Sequence, residues 1–332
     1  MSDTRFDVVG IGNAIVDVLS HADDAFLQRH EMNKGTMALI DADTADKLYA
    51  DMASGVECSG GSAANTIAGI ASLGGRGAYI GKIKNDQLGN VFSHDMNAIG
   101  VHFASQPATD GPATARCLIN VTPDAERTMS TYLGACVELG VGDVDPAVIR
   151  DSKVTYLEGY LWDKPAAMDA FIKAAEIAHE QGREVSLSLS DPFCVDRHRD
   201  SFIDLVEGHV DILFANEDEI TSLYQVDTFD AALQHVRGHC KIAALTRSAK
   251  GSVILRGDEV HVVDAEAVNK VVDTTGAGDA FAAGFLYGYT SGGHDDLVHC
   301  ARIGAIAAAE IISHFGARPE TPLNELVAEK LG

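Results

Sequence analysis

The chain predicts an α/β protein: a three-layer α/β/α sandwich with a mostly parallel central sheet and a small β-sheet lid. Three observations carry that expectation. Short apolar runs alternate with longer stretches of helical periodicity, two stretches break the alternation, and a glycine-rich turn set between aspartates joins a strand end to a helix.

In chain order, Val8-Val9-Gly10-Ile11 reads as the first strand, and helical patterns over 62–73 and 87–99 flank the strand Ala78-Tyr79-Ile80. The rhythm resumes with Val154-Thr155-Tyr156-Leu157, a helix over 166–180, and three further strands over 185–189, 211–214 and 242–246. Strands this continuously apolar belong to a parallel sheet covered on both faces by helices. The interruptions are Thr36-Met37-Ala38-Leu39-Ile40 and the pair 114–121 and 127–132, separated by the turn-like Thr122-Pro123-Asp124-Ala125-Glu126. The pair reads as a hairpin outside the main sheet, which with 15–20 and 36–40 forms a lid over a cleft. The expected organisation is one domain over 1–332 with lid insertions at about 15–40 and 112–133, since no repeat, low-complexity tract or linker divides the chain.

Composition narrows the function. Of 332 residues, 46% are apolar and 22% charged, which is globular usage. The formal charge of -24, from 25 Lys plus Arg against 49 Asp plus Glu, argues against nucleic acid or an anionic membrane as partner. Any phosphate must then be held locally, by backbone NH groups, a helix N-terminus or a divalent cation. Six cysteines at wide spacing, without a Cys-x-x-Cys, suggest neither disulfides nor a zinc knuckle, and fit a reducing cytoplasm. The start of the sequence runs directly into an apolar strand with no signal-peptide pattern, and no stretch has the length of a transmembrane helix.

The chemistry concentrates in Asp273-Thr274-Thr275-Gly276-Ala277-Gly278-Asp279, followed by Ala280-Phe281-Ala282-Ala283-Gly284-Phe285. Gly276 and Gly278 leave backbone NH groups uncovered at a helix N-terminus, where the dipole favours an anion. Asp279, in the first turn, is placed to take a proton from a hydroxyl beside a bound phosphate. A turn aspartate and a capping acid are the plain alternative for Asp273 and Asp279.

This run resembles the signature of the ribokinase-like carbohydrate and nucleoside kinases, the pfkB family, and differs from a Walker A motif. Gly60-Gly61-Ser62-Ala63-Ala64-Asn65 resembles the family's N-terminal substrate motif, and Gly12-Asn13-Ala14-Ile15-Val16-Asp17 its first strand end. The resemblance implies ATP and magnesium as cofactors. It implies a catalytic set of Asp279 with Gly276, Ala277 and Gly278, and an acceptor set of Asn13, Asp17, Gly60, Gly61, Ser62 and Asn65, with Arg127 closing from the lid onto the phosphates. Asn216 and Glu219 match the family's Asn-x-x-Glu element, Glu219 arranging magnesium through water; a helix capping box is the plain reading of that pair. Thr246, Ser248 and Gly251 match an ATP-side loop in which Ser248 stands where the family has its first glycine, and Thr275 adjoins the phosphates. The loop 313–319, with Asp273 and Thr275, resembles one that binds potassium in some members.

Within the family, Leu187-Ser188-Leu189-Ser190-Asp191-Pro192-Phe193 and the segment 210–217 look most like adenosine kinases, and the Asp-x-Asn/Asp-x-Arg run of the sugar branch is absent. The implied reaction is transfer of the γ-phosphoryl of ATP to the 5′-hydroxyl of a nucleoside, adenosine first. A furanose kinase and a non-catalytic ligand-binding regulator are the alternatives. Ile15, Met37, Leu39, Cys117, Met129, Tyr160 and Trp162 are candidates for an apolar slot around the base. Partners are then a small nucleoside or sugar and ATP, in a monomer or a homodimer. Two other features are set aside: Gly10-Ile11-Gly12-Asn13-Ala14-Ile15 lacks the third glycine of a dinucleotide fingerprint, and His235 with His239 and Cys240 lacks a carboxylate at metal-ligand spacing.

Overall fold

Residues 4–124 and 126–332 are described by the computed structural model; Met1 to Asp3 and Ala125, the last within the turn expected at 122–126, lie outside the described residues. In chain order the strands are β1 (Phe6–Ile11), β2 (Ile15–His21), β3 (Met37–Leu39), β4 (Val56–Gly60), β5 (Gly77–Ile80), β6 (His102–Phe103) and β7 (Ala115–Val121), then β8 (Arg127–Tyr132), β9 (Ser152–Glu158), β10 (Glu184–Ser188), β11 (Ile212–Asn216), β12 (Ile242–Thr246), β13 (Ser252–Arg256) and β14 (Glu259–Val263). The helices are α1 (Asp24–Arg29), α2 (Ala42–Asp51), α3 (Ser62–Ser72), α4 (Gln87–Ala98), α5 (Pro146–Arg150) and α6 (Pro165–Glu180), then α7 (Pro192–His209), α8 (Glu217–Tyr224), α9 (Phe229–Val236), α10 (Ala277–Gly288), α11 (Leu297–Ile311) and α12 (Leu323–Leu331).

Nine strands form the large sheet in the order β14-β13-β12-β11-β10-β9-β1-β5-β6. It is parallel from β6 to β12 and ends in two antiparallel strands. All six residues of β1 are buried, because successive side chains enter opposite cores. Val9 and Ile11 join Leu157, Leu187 and Phe171 on the face covered by α5 to α9. Val8 joins Tyr79, Tyr156, Ile67 and Phe285 on the face covered by α3, α4, α10 and α11. The strand order reverses between β1 and β9, and in an open parallel sheet ligands bind in the crevice outside the carboxyl ends at such a switch point.

The second sheet has the order β3-β8-β7-β2-β4. Burial alternates along β2: Val16 and Val18 pack with Phe26 and Leu27 of α1 and Leu48 of α2, leaving Ile15, Asp17 and Leu19 on the other face. Register carries that face across the sheet, since Asp17 lies opposite Cys58 and Cys117, Cys117 opposite Thr131, and Met129 opposite Met37. Strand β4 adds to the segments expected for this sheet; Val56-Glu57-Cys58-Ser59-Gly60 carries no apolar run that would announce a strand. Among the described residues no helix is long and apolar enough to cross a membrane, and all six cysteines are free thiols.

Candidate active site

Beyond β1 the chain passes through Gly12 and Asn13 directly into β2, and Glu158 ends the neighbouring β9. The Asn13 Nδ2 group donates to Glu158 Oε1 at 2.7 Å, while the backbone NH groups of Asn13 and Ala63 donate to Oε2 at 3.3 and 2.8 Å. Burial pushes the Glu158 carboxyl up to about 7, against the opposing pull of the Ala63 and Asn13 donors. With its amide NH₂ committed to Glu158, Asn13 is left with a buried Oδ1 that has no partner among the described residues. Asn13 is only 2% exposed.

The first turns of α3 and α10 meet at Asp279. Ser62 Oγ donates to Asp279 Oδ1 at 2.6 Å and Asn65 Nδ2 to Oδ2 at 3.2 Å, again leaving a buried, unpartnered amide oxygen, Asn65 Oδ1. Burial raises the Asp279 carboxyl to about 6; the bonds from Ser62 and Asn65, then the charge of Arg318, pull the other way. Buried polar atoms normally find partners, so the orphan oxygens of Asn65, held by Asp279, and of Asn13, held by Glu158, are free to take hydroxyl donors.

Asp17, on the second sheet, lays its carboxylate against Gly60 at the entry to α3. Gly60 is required there, because a Cβ at position 60 would lie 2.4 Å from Asp17 Oδ2. Gly61 follows as the N-cap of α3. Burial lifts Asp17 to about 6, with Arg318 and then Arg127 opposing.

The remaining expected residues line the approach to Asp279. Arg127, on β8, forms an ion pair with Asp273, and both side chains are nearly buried. Asp273 also accepts from the Thr275 NH at 2.9 Å and the Gly316 NH at 3.2 Å. Burial would raise its carboxyl, yet those bonds and the Arg127 charge bring it below the ordinary range. Gly276 sits at φ +79° as the N-cap of α10, and a Cβ there would come within 2.6 Å of Ala317 Cβ, so only glycine fits. No side chain caps this helix and Gly278 faces open space, so the Gly278 NH is presented to an anion, forming a cradle, while the Ala277 NH is taken by Thr274 O at 3.2 Å.

A second shelf lies along the carboxyl ends of β11 and β12. Asn216 and Glu219 form a reciprocal capping box, so the structural role of that pair is real. Glu219 is nevertheless buried, and burial followed by the charges of Asp191, Asp218 and Asp279 raises it to about 7. Thr246 pairs in register with Asn216, Ser248 takes a left-handed φ of +52°, and Gly251 one of +81°. Beside Ser313 and the segment 267–269, which leads into the cradle, a cavity of about 570 Å³ is lined by Val268, Asn269, Ile306, Ala309 and Lys330.

One reading from the sequence changes. Trp162 is 3% exposed within the core between Phe171 and Phe202, with its Nε1 bonded to Ser201, so it cannot line the cleft. The two features set aside stay set aside. His235 and His239 are taken up by Tyr224, which stacks on the first and bonds the second at 3.1 Å, and among the described residues no cluster of three or more such side chains could hold a metal. The incomplete dinucleotide turn leads into β2 instead of a helix. Glu158 and Arg318 belong to the site and escaped the sequence reading. A single acid closing an apolar strand was a usable signal for Glu158; Arg318 carried none.

Comparison with known proteins identifies the family. The family described as pfkB family carbohydrate kinase matches residues 35–324. The solved adenosine kinase of Sinorhizobium meliloti is 53% identical, with a TM-score of 0.89 over 98% of this chain and 99% of that one. A solved probable sugar kinase from Rhizobium etli is also 53% identical, with a TM-score of 0.89 over 98% of each chain. The adenosine kinase of Saccharomyces cerevisiae is 25% identical over 345 residues, covering 97% of this chain and 99% of its own.

Proposed function

The chain belongs to the pfkB family of carbohydrate kinases, phosphotransferases that use ATP on an alcohol acceptor, and from that premise we propose that it phosphorylates the 5′-hydroxyl of a nucleoside, adenosine before others. The observation that carries the reading is the pair of orphan amide oxygens, Asn65 Oδ1 on the side chain that bonds Asp279 and Asn13 Oδ1 on the side chain that bonds Glu158. Ribose hydroxyls would give both oxygens their donors, and the ionised Asp17 would accept a further one. An acceptor without those hydroxyls would leave buried groups unpaired, which is a strong basis for discrimination. The base would lie against Ile15, Met37, Leu39, Cys117 and Met129, which share the Asp17 face of the second sheet. The name of the Sinorhizobium meliloti relative supports adenosine as that acceptor.

Asp279 would take the proton of the 5′-hydroxyl as the oxygen attacks the γ-phosphorus. Its raised basicity, from burial, suits it to do so near neutral pH. The NH groups of Gly276 and Gly278 would bind the charge that spreads over the transferred phosphoryl oxygens. The cavity beside 267–269 is the candidate seat for the donor's base.

Both Glu219 oxygens already accept from Asn216, at 2.9 and 2.7 Å, so Glu219 would meet magnesium only through the remaining lone pairs and the cation's own water. Such a cation neutralises the charge between the β- and γ-phosphates. Asp273 fits potassium poorly: both its oxygens are engaged, and the Arg127 guanidinium occupies the place a cation would need. Free thiols throughout support a cytoplasmic setting.

The test is ADP release from Mg-ATP across a panel of nucleosides and free sugars. Turnover with adenosine and none with ribose or fructose is expected. Turnover with free sugars alone would overturn the nucleoside assignment.

A further inference from the structure

Arg318 reaches from the loop after α11 to the opposite wall of the cleft. Its side chain is half-buried and all three nitrogens are engaged. Nε donates to Ser59 O at 3.2 Å, Nη1 to Ala64 O at 3.0 Å, and Nη2 to Ser59 O at 2.9 Å and to Ser59 Oγ at 3.1 Å. Ser59 immediately precedes Gly60, and Ala64 lies in the first turn of α3, so the planar fork grips both ends of the turn that carries Ser62.

The same loop is fastened to the phosphate side. The Gly316 NH donates to Asp273, Ala317 fills the space beside Gly276, and Glu310 Oε1 accepts the NH groups of Glu320 and Thr321 at 3.0 and 2.8 Å. Three consecutive residues thus touch the anion cradle at one end and the acceptor turn at the other. Among the described residues the half-buried guanidinium makes no ion pair and directs its donors to neutral oxygens of the acceptor turn. The carboxylate that benefits most from its charge is Asp17, on which it acts more strongly than Arg127 does.

We propose that Arg318 is a positioning residue for the acceptor: it clamps the turn from Ser59 to Ala64 against the phosphate cradle and gives Asp17 a fixed counter-charge, without itself touching substrate. The proposal rests on the kinase reading above, so wild-type turnover of the acceptor panel is measured first, and failure with every acceptor overturns both. Given wild-type turnover, Arg318→Met in the full chain is expected to raise the acceptor KM about tenfold or more, since charged hydrogen bonds are lost, and to leave the donor KM and kcat within about threefold. Arg318→Lys keeps the charge, loses the fork, and should fall between. In an Asp17→Asn background the Met substitution should cost only about twofold, because part of its effect runs through Asp17. Equal rises in both KM values, or full additivity with Asp17→Asn, would mean a merely structural role and overturn the proposal. Should Arg318→Met not fold, Arg318→Lys decides, an unchanged acceptor KM overturning the proposal and a raised one with unchanged donor KM supporting it.

Discussion

Around Asn13, Glu158 and Asn65 the polar groups are side chains at most 9% exposed, locked to one another before any ligand arrives. Between Asp273 and Gly278 they are mostly backbone NH groups on a turn whose residues are half-buried or exposed. The acceptor half therefore pays heavily for a missing partner, because desolvated amide oxygens cannot fall back on water. The phosphate half does not, since its donors can be hydrated when empty and serve any phosphate equally. Selectivity should reside in the first half and bulk binding of the donor's phosphates in the second, with Asp279 standing where the two meet.

The largest effect should come from removing that junction. Asp279→Asn is expected to lower kcat by about 10²- to 10⁴-fold, the usual worth of a general base, with donor binding nearly unchanged by calorimetry. In the wild type, kcat/KM should fall tenfold per pH unit below about 6, where Asp279 takes up its proton. Near-normal turnover in the variant would remove Asp279 from the reaction.

A smaller effect separates the halves. Gly276→Ala places a methyl group 2.6 Å from Ala317 Cβ on a backbone of φ +79°. Distortion there should raise the donor KM about tenfold while nucleoside binding, measured without ATP, stays as in the wild type. If nucleoside binding weakens as much, the two halves are one unit and the comparison breaks.

The phosphate half was the more legible in the sequence. Its function lies in consecutive residues, so the local pattern from Asp273 to Asp279 carries nearly all of it, as Gly60 to Asn65 does for the α3 entry. The large sheet was legible for a related reason: continuous apolar runs such as Val8 to Ile11 can only be strands covered on both faces. Contacts made at long range stayed hidden. Glu158 meets Asn13 across 145 positions and Arg318 meets Ser59 across 259, distances over which spacing says nothing. Trp162 was misplaced because an aromatic beside the cleft-edge Tyr160 looks the same in sequence whether it faces the cleft or the core. Strand β4 escaped because its pairing with β2 depends on register, which Asp17 against Cys58 and Ile15 against Gly60 define only in three dimensions.

The smallest predicted effect opposes the two halves in stability. Asp279 titrates at about 6 in the folded protein against an ordinary 3.8, so the folded state holds this proton more tightly than the unfolded state. The stability it contributes is full below about pH 4 and is lost as pH rises through 6. Asp273 has the reverse sign: its lowered value means stability that is present at neutral pH and is lost only as pH falls through that lowered value, below the ordinary carboxylate range. Asp279→Asn should therefore stabilise the ligand-free protein at pH 8, by about 1–3 kcal/mol after allowance for the carboxylate's partial exposure. Asp273→Asn should destabilise it at the same pH. Denaturant melts at pH 4 and pH 8 check both signs, and the gain from Asp279→Asn should vanish at pH 4, where the wild-type carboxyl is already neutral. A gain that persists unchanged at pH 4 would trace the effect to packing and not to charge, and would leave the acceptor side no longer strained by its own base.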